Sequence, residues 1–368
     1  MKILHCIATL TGGGAERQLC YLAKGLVDAG HEVRVACMRL GANATRLRMS
    51  GATVEVSGLP LSSPRNIWHV TRIIRQFRPD IVQTWLLQMD IWGGMATIWT
   101  GTPWILNERS SRQAYPATWG NRLRLLVARH AAVVVANSGA GEEYWRQELG
   151  QRLARSMVIY NSLPLEELDA VRPYRPLSIA SSDKIIVLAS RLDPSKNLRM
   201  LLRSLSIVLN NAEAQVLVCG EGPEEKHLRL LVSALGISTR VHFLGYVSDL
   251  PALLKAADVF VSVSRFEGQP NAVMEAMACG CPTVASDIPE HREFLNEKAT
   301  FFAHPDSIAN IAEQILLALR VPSLAIGKAR QARSIAQSWH IRGATQQYSA
   351  VYRSLMPDSA QCTETPSI

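Results

Sequence analysis

Short apolar runs with the character of β-strands alternate with helical patterns along most of the 368-residue chain. In the first half, strand patterns occur at residues 2–8, 32–38, 80–85, 104–107, 131–137 and 156–161, and in the second half at 183–190, 215–219, 240–244, 258–263 and 283–285. Parallel strands need long crossover connections, usually helices, so this alternation is typical of doubly wound sheets. We therefore predict an α/β protein built on parallel sheets.

A proline-rich segment, VRPYRPLS at residues 171–178, separates the two sets of strands. The chain is long enough for two domains, each with its own core. We predict a first domain at 1–170 and a second at 171–338, joined by this linker. Residues 339–357 follow the second domain as a separate segment, and 358–368 are predicted to be a disordered tail.

The composition is that of a globular protein, with 48% hydrophobic and 19% charged residues. No apolar run approaches the roughly 18 residues of a membrane span, and residues 1–10 lead into a glycine loop instead of a cleavage site. We therefore expect a cytoplasmic protein.

Seven scattered cysteines without a C-x-x-C pair predict reduced thiols, with neither a disulfide framework nor a zinc site.

The net charge of +8 is concentrated in the first half of the chain. Residues 1–172 hold 20 Lys and Arg against 13 Asp and Glu, whereas residues 173–368 hold 19 against 18. This asymmetry suits an anionic partner, either a membrane surface or a phosphorylated acceptor, and a generic basic surface is the alternative. Nucleic acid is not the expected partner, because the basic residues are not interleaved with aromatic ones in any recognisable module.

The segment 119–130, WGNRLRLLVARH, is the local candidate for membrane contact. It mixes apolar residues with Arg122, Arg124 and Arg129, and a basic amphipathic helix of this kind can lie on anionic lipid. An ordinary helix packed on its own sheet is the alternative interpretation.

Two glutamates, Glu267 and Glu275, mark the stretch 266–286, FEGQPNAVMEAMACGCPTVAS. A turn between them leads into a helical pattern with Asn271 as the predicted N-cap; the turn consists of Gly268, Gln269 and Pro270. Such a loop and helix start lie at the carboxyl edge of a sheet, where amides favour phosphate and carboxylates accept hydrogen bonds from sugar hydroxyls. The pattern favours a nucleotide sugar, with Glu275 on the ribose and Glu267 near the transferred sugar. Two solvated acids on an ordinary loop are the alternative.

Arg191 and Lys196 lie in RLDPSKN, on the predicted strand-to-helix loop after residues 183–190. An arginine fork and a lysine point charge suit a diphosphate, although a purely structural role is the alternative.

The glycine loop at residues 9–14, TLTGGG, does not fit a dinucleotide site. The third glycine of G-x-G-x-x-G would fall on Arg17, and the strand at 32–38 ends without the ribose-binding acid.

Taken together, these motifs resemble those of the retaining glycosyltransferases of family four, the glycosyl transferases group 1. The resemblance covers nearly the whole chain. It implies the GT-B fold, in which two Rossmann-like domains face each other across a cleft, the first binding the acceptor and the second the nucleotide sugar. It also implies that residues 338–355 form a last helix that crosses back onto the first domain.

The resemblance implies a donor site spread over both domains. Its predicted donor-binding residues are Gly13, Gly14, Arg191, Lys196, Gly220, Gly222, Val247, Glu267, Gly268, Gln269, Pro270, Asn271 and Glu275. The glycine loop would approach the diphosphate or acceptor across the cleft, unless its glycines serve only chain reversal. Arg109, in NERSS, occupies the place where many members carry a histidine near the donor sugar; a surface arginine is the alternative. The predicted catalytic residues are Glu267, Arg191, Lys196 and Arg109.

We therefore predict a retaining, metal-independent transferase with no cofactor. It would move a hexose or N-acetylhexosamine from a nucleoside diphosphate sugar, UDP favoured, to a polysaccharide or lipid-linked saccharide in bacterial-type surface polysaccharide biosynthesis. No Asp-x-Asp pair is present to hold a metal on the diphosphate. The alternatives are another GT-B enzyme, either a nucleotide-sugar epimerase or a phosphorylase, and a basic nucleic-acid-binding protein.

Overall fold

The computed structural model describes residues 1–176 and 179–356. Its first part alternates strands and helices, which are β1 (Lys2–Thr9), α1 (Gly14–Asp28), β2 (Glu32–Arg39), α2 (Asn43–Met49), β3 (Thr53–Val56), α3 (Arg65–Phe77), β4 (Ile81–Trp85), α4 (Leu86–Thr100), β5 (Trp104–Glu108), α5 (Trp119–Ala128), β6 (Val133–Ala136), α6 (Gly139–Leu149), β7 (Ser156–Val158) and α7 (Leu165–Ala170). The seven strands form one parallel sheet in the order β3-β2-β1-β4-β5-β6-β7.

The second part continues the alternation with β8 (Lys184–Ala189), α8 (Leu198–Leu209), β9 (Ala214–Cys219), α9 (Glu225–Ala234), β10 (Val241–Gly245), α10 (Leu250–Ala256), β11 (Val259–Ser262), α11 (Asn271–Ala278), β12 (Thr283–Ser286), α12 (Pro289–Arg292), β13 (Phe301–Ala303), α13 (Ile308–Arg320), α14 (Pro322–Ala336) and α15 (Ile341–Ser354). Its six strands form a second parallel sheet in the order β10-β9-β8-β11-β12-β13. The predicted doubly wound α/β class is confirmed. Residues 177 and 178 of the predicted linker and the whole predicted tail lie outside the described residues.

Both faces of each sheet are buried, which is why its strands are continuous apolar runs instead of alternating ones. In β8, Ile186 and Leu188 enter one core while Ile185 and Val187 enter the core on the opposite face. A doubly wound sheet of this kind presents its loops at the carboxyl ends of its strands, and these loops carry the motifs identified above.

The helix α15 belongs to the first sheet although it follows the second in sequence. Tyr348, Val351 and Tyr352 are buried in the core beneath α1, and the Tyr348 hydroxyl donates a hydrogen bond to Asn107 Oδ1 at 3.1 Å. The Tyr352 hydroxyl donates to Gln83, whose side chain is fully buried. The chain therefore returns to the first domain and fills part of its core.

Arg124 on α5 is not a surface residue, so the prediction that it faces lipid is wrong. Its guanidinium is only 1% exposed and lies 2.7 Å from Asp90 Oδ2 and 2.9 Å from Glu108 Oε2. Two buried carboxylates compensate the charge, which is the condition for burying an arginine. By contrast, Arg122 on the same helix and Arg129 directly after it are exposed.

In the part of the chain that the structure describes, no individual helix combines the length and apolar composition needed to cross a membrane. The helical segments Ile308–Arg320 and Pro322–Trp339 reach that length and composition only as a pair, and they are bent by 99° relative to each other.

Candidate functional site

Two loops at the carboxyl edge of the second sheet bring Lys196 and Glu267 into contact. The Lys196 Nζ lies 2.6 Å from Glu267 Oε1, and the Ser264 hydroxyl donates to the same oxygen at 2.7 Å. The backbone N–H of Arg265 donates to the carbonyl of Ser195 at 2.9 Å, which ties the two loops together. A cation and a carboxylate are thus fixed beside each other just before the start of α11.

Arg191 lies on the same loop as Lys196 but is not part of this contact. Its side chain is 73% exposed, and its Nε lies 3.9 Å from the carboxylate of Asp193. The Asp193 carboxylate accepts a hydrogen bond from the backbone N–H of Ser195, which shapes the turn that carries Lys196. The Arg191 guanidinium can therefore reorient towards an anion at this edge of the sheet.

Glu275 lies one turn inside α11 and is almost fully buried, yet its partner comes from the other domain. The Nη1 of Arg17, on α1, lies 2.8 Å from Glu275 Oε1 and 3.1 Å from Oε2. The charge of the Glu275 carboxylate raises the pKa of the Arg17 guanidinium. The sequence placed Glu275 at the donor site but gave no indication of this arginine.

The turn before α11 makes further contacts with the first domain. The Asn161 side-chain amide donates to the Gln269 carbonyl at 3.1 Å and to Asn271 Oδ1 at 2.8 Å, and Gln18 Nε2 donates to Asn271 Oδ1 at 2.9 Å. Asn271 is the first residue of α11, and its side chain does not cap the helix; the N-cap is Pro270. The N-cap prediction is wrong because the amide is used across the cleft instead.

The glycine loop of the first domain lies against the second domain. A Cβ atom on Gly14 would lie 2.3 Å from Nδ2 of Asn271, and one on Gly12 would lie 2.4 Å from the ring of Tyr246. A Cβ atom on Gly13 would meet the Glu16 carboxylate at 2.3 Å. Side chains at these positions would have to displace Tyr246, Glu16 or Asn271, so the glycines allow the loop to lie close to these three side chains.

Gly220 and Gly222 pack against the backbone of the loop that carries Arg191. A Cβ atom on Gly220 would lie 1.9 Å from the carbonyl oxygen of Ser190, and one on Gly222 would lie 2.3 Å from that of Leu192. Side chains at these positions would displace the Arg191 loop. Val247, on the loop after β10, is half-buried against the core of the second domain.

Arg109 is enclosed by its neighbours, so the alternative of a surface arginine is wrong. Its guanidinium lies over the ring of Trp85, 5.1 Å from the ring centroid, and donates a hydrogen bond to Asn161. Burial lowers the pKa of the Arg109 guanidinium. Its backbone faces the turn before α11, since a Cβ atom on Gly268 would lie 2.7 Å from the Arg109 carbonyl oxygen. A role near the donor sugar stays a prediction.

The structure therefore brings the predicted residues of the second domain to one edge of its sheet. It adds three residues of the first domain that sequence reasoning missed, and these are Arg17, Gln18 and Asn161. These polar side chains meet where the two domains are in contact, and ligand sites occur preferentially at domain interfaces.

Comparison with known proteins agrees with this architecture. Residues 12–167 match the family model described as Glycosyltransferase Family 4, and residues 175–338 match the model of Glycosyl transferases group 1. The two models adjoin and together leave only the chain ends and a short central segment unmatched.

Several characterised or named proteins are similar to this chain. The lipopolysaccharide core biosynthesis glycosyltransferase LpsD of Rhizobium meliloti is 26% identical over 294 residues, which is 78% of each chain. An α-1,4-N-acetyl-D-galactosaminyltransferase of Campylobacter jejuni, named for a diNAcBac-PP-undecaprenol saccharide, is 26% identical over 295 residues, covering 75% of this chain and 77% of that one. An uncharacterized glycosyltransferase of Methanocaldococcus jannaschii is 30% identical over 172 residues, and this match spans less than half of either chain.

Among solved structures, that of Anabaena HepE in complex with UDP-glucose is similar to this fold. It superposes with a TM-score of 0.84 at 25% sequence identity, covering 96% of this chain and 100% of that one. Two matched family models, covering both sheets, and a neighbour that shares the whole architecture lead to one conclusion. The chain belongs to the glycosyltransferases of family four and group 1, which have the two-domain GT-B fold.

Proposed function

We propose that this glycosyltransferase transfers a sugar, with retention of configuration, from a UDP-sugar to a saccharide carried on a lipid diphosphate during surface polysaccharide assembly. The observation that carries the proposal is the contact between Lys196 and Glu267 at the edge of the second sheet, beside the first turn of α11. The similarity to HepE, solved with UDP-glucose, supports UDP as the nucleotide. The similarity to the Campylobacter enzyme supports a polyprenyl diphosphate acceptor.

The proposed chemistry uses the chain's own cations and amides at the leaving group. The bond between the anomeric carbon and the diphosphate oxygen breaks, and the acceptor hydroxyl oxygen bonds to the same face of that carbon. The hydroxyl proton passes to the leaving diphosphate. Lys196, Arg191 and the N-terminal amides of α11 stabilise the charge that grows on the diphosphate, so no metal is required. In this scheme Glu267 binds hydroxyls of the transferred sugar and Glu275 binds the ribose.

A purified-component assay tests this function. Thermal-shift screening against UDP, GDP and ADP identifies the nucleotide, and the matching sugar nucleotides are then supplied with and without a polyprenyl diphosphate saccharide. We expect stabilisation by UDP and acceptor-dependent release of UDP that continues in EDTA. Release of UDP with sugar epimerisation and no acceptor would support the epimerase alternative. Activity abolished by EDTA and restored by manganese would contradict metal independence.

We also propose that the protein is cytoplasmic and docks on the inner membrane surface through the outer face of α3, α4 and α5. This face exposes apolar residues beside basic ones, and they are Trp68, Ile98, Trp99, Trp119 and Leu126 with Arg65, Arg72, Arg75, Arg122 and Arg129. The rings of Trp68 and Trp99 form an edge-to-face pair with centroids 5.4 Å apart. The only acidic residue of the three helices, Asp90, is buried. Exposed tryptophans with flanking arginines are suited to an anionic lipid interface.

Vesicle co-sedimentation tests the docking face. Binding of the full chain should rise with phosphatidylglycerol content, fall with added salt, and weaken when Trp68 and Trp99 are both changed to serine. Arg203→Glu, on the exposed surface of α8 in the second domain, is the matched control and should bind as the wild type does. If the wild type does not bind anionic vesicles at low salt, the membrane part of the proposal fails, while the glycosyltransferase assay is unaffected.

A further inference from the structure

Arg17 and Glu275 form an ion pair between the two domains, and they are 258 positions apart in the sequence. Arg17 lies in the first turns of α1, directly after the glycine loop, and its side chain is 23% exposed. Glu275 lies on α11 with its side chain only 3% exposed. The carboxylate assigned above to the ribose is therefore held by a residue of the other domain.

The ion pair leaves hydrogen-bonding capacity unused on both side chains. One nitrogen of Arg17, Nη1, contacts both carboxylate oxygens of Glu275, at 2.8 and 3.1 Å. A carboxylate offers about four lone-pair positions, so each oxygen can still accept a second hydrogen bond. On the arginine, Nε is buried and has no hydrogen-bond partner within the described residues. The ion pair thus saturates the hydrogen-bonding capacity of neither group, and Glu275 can accept further hydrogen bonds while it is paired with Arg17.

Neighbouring contacts fix Arg17 relative to α11. Gln18 donates through Nε2 to Asn271 Oδ1 and to the Ser162 carbonyl, both at 2.9 Å. A Cβ atom on Gly14 would lie 2.3 Å from Asn271 Nδ2, so the start of α1 lies close to the Asn271 side chain. When the two domains are in contact, the Arg17 guanidinium therefore has a defined position, and it defines the orientation of the Glu275 carboxylate in turn.

We propose that Arg17 is a positioning residue of the donor site, which orients Glu275 towards the ribose and makes ribose recognition depend on contact between the domains. This inference rests on the proposed function, in which Glu275 binds the ribose. A side chain of the acceptor-binding domain then contributes to the affinity for the donor, and the full ribose contact is made only in the closed arrangement. A purely structural ion pair would contribute to folding and leave ribose recognition unchanged.

Ribose discrimination provides the test. The nucleotide used is the one among UDP, GDP and ADP that binds the full chain most tightly. Calorimetry then compares its dissociation constant with those of its 2′-deoxy and 3′-deoxy counterparts. In the wild type, loss of the hydroxyl bound by Glu275 should weaken binding about tenfold or more, because hydrogen bonds to charged groups are the strong ones. In Arg17→Met the ribonucleotide should bind about as weakly as the deoxynucleotide does, and the deoxynucleotide should be bound equally by both proteins.

Gln18→Met is the matched control, because it removes an adjacent contact between the domains without touching Glu275. It should lower affinity for both nucleotides and keep their ratio. If Arg17→Met does not fold, Arg17→Gln is used for the same comparison. The inference is overturned if the Arg17 variant that folds prefers the ribonucleotide over the deoxynucleotide as strongly as the wild type does, while Glu275→Ala loses that preference. If Glu275→Ala retains it, the assignment of Glu275 to the ribose fails, and this inference fails with it.

Discussion

Lys196 Nζ lies 2.6 Å from Glu267 Oε1, and the Ser264 hydroxyl shares the same carboxylate oxygen. This contact holds the ammonium group of Lys196 at the strand ends before any donor arrives. A preorganised cation of this kind stabilises charge in the transition state more than in the bound substrate.

We expect Lys196→Met to lower kcat by about 10²- to 10³-fold, the range seen when one electrostatic donor is removed, with a smaller change in the KM for the donor. Steady-state kinetics at varied donor concentration separate the two constants. Arg203→Met, an exposed cation on α8, is the control and should be active. A rise in KM with unchanged kcat would show that Lys196 serves ground-state binding alone.

Asn161 joins the first domain to the turn before α11 through both its side chain and its backbone N–H. Asn161→Leu removes the amide contacts with Gln269 and Asn271, so we expect a more open average arrangement of the domains. Small-angle scattering should show a larger radius of gyration than that of the wild type, and UDP should reduce the difference. If the variant and the wild type have equal radii of gyration both with and without UDP, other contacts suffice to hold the domains together.

Arg124 compensates two buried carboxylates, so its loss should be costly. Arg124→Met leaves Asp90 and Glu108 buried without their cation, and removal of one partner of a buried pair typically costs about 3–5 kcal/mol. We expect a large drop in unfolding temperature or loss of soluble protein. Arg122→Met, two residues earlier on the exposed side of α5, should unfold close to the wild-type temperature. Equal effects of the two substitutions would contradict the buried network.

His5 should make the first domain sensitive to acid. It is fully buried, accepts a hydrogen bond from Trp85 Nε1 at 3.2 Å, and burial lowers its pKa from 6.5 to about 3. Below pH 6.5 the unfolded chain gains a proton at His5 that the folded chain does not gain. The contribution is therefore fully present above pH 6.5 and is lost as the pH falls, by about 2 kcal/mol at pH 5.

Replacing His5 by glutamine keeps an acceptor for Trp85 and removes the titration. Denaturant unfolding between pH 7.5 and pH 5 should show a shallower loss of stability in His5→Gln than in the wild type. Parallel profiles for the two proteins would mean that His5 titrates normally in the folded state.

Most strands were predictable from local pattern because a strand buried on both faces has to be apolar throughout, as KIIVLA in β8 and VVVA in β6 are. The short strands β3 and β13 were not predicted. The helix α4 was not predicted. It is apolar around most of its circumference and contains Gly93 and Gly94, which disfavour a helix in isolation. The structure explains the glycines: Cβ atoms there would lie 2.9 Å from Thr84 and 2.6 Å from Trp104.

The sequence allowed us to predict the site residues that lie on loops of one sheet, but not the contacts between residues of the two domains. Loops at the strand ends placed Lys196 and Glu267 at the same edge. Arg17 and Asn161 could not be linked to Glu275 and Asn271, because no local spacing relates residues more than 100 positions apart. One feature of the sequence could have indicated these contacts. Gln18 is a polar residue on the buried side of the amphipathic helix α1, where an apolar core residue is expected.

The return of α15 to the first domain has a consequence for the order in which the protein can fold during synthesis. The core around β1 and β4 includes Tyr348 and Tyr352, and their hydroxyls donate hydrogen bonds to the side-chain oxygens of the buried Asn107 and Gln83. The first domain leaves the ribosome first, yet it lacks these partners until about 200 further residues have been made. The second sheet has all its strands by Ala303. We therefore expect a nascent chain halted before Ile341 to carry a folded second domain beside a first domain that is open to chaperones and proteases.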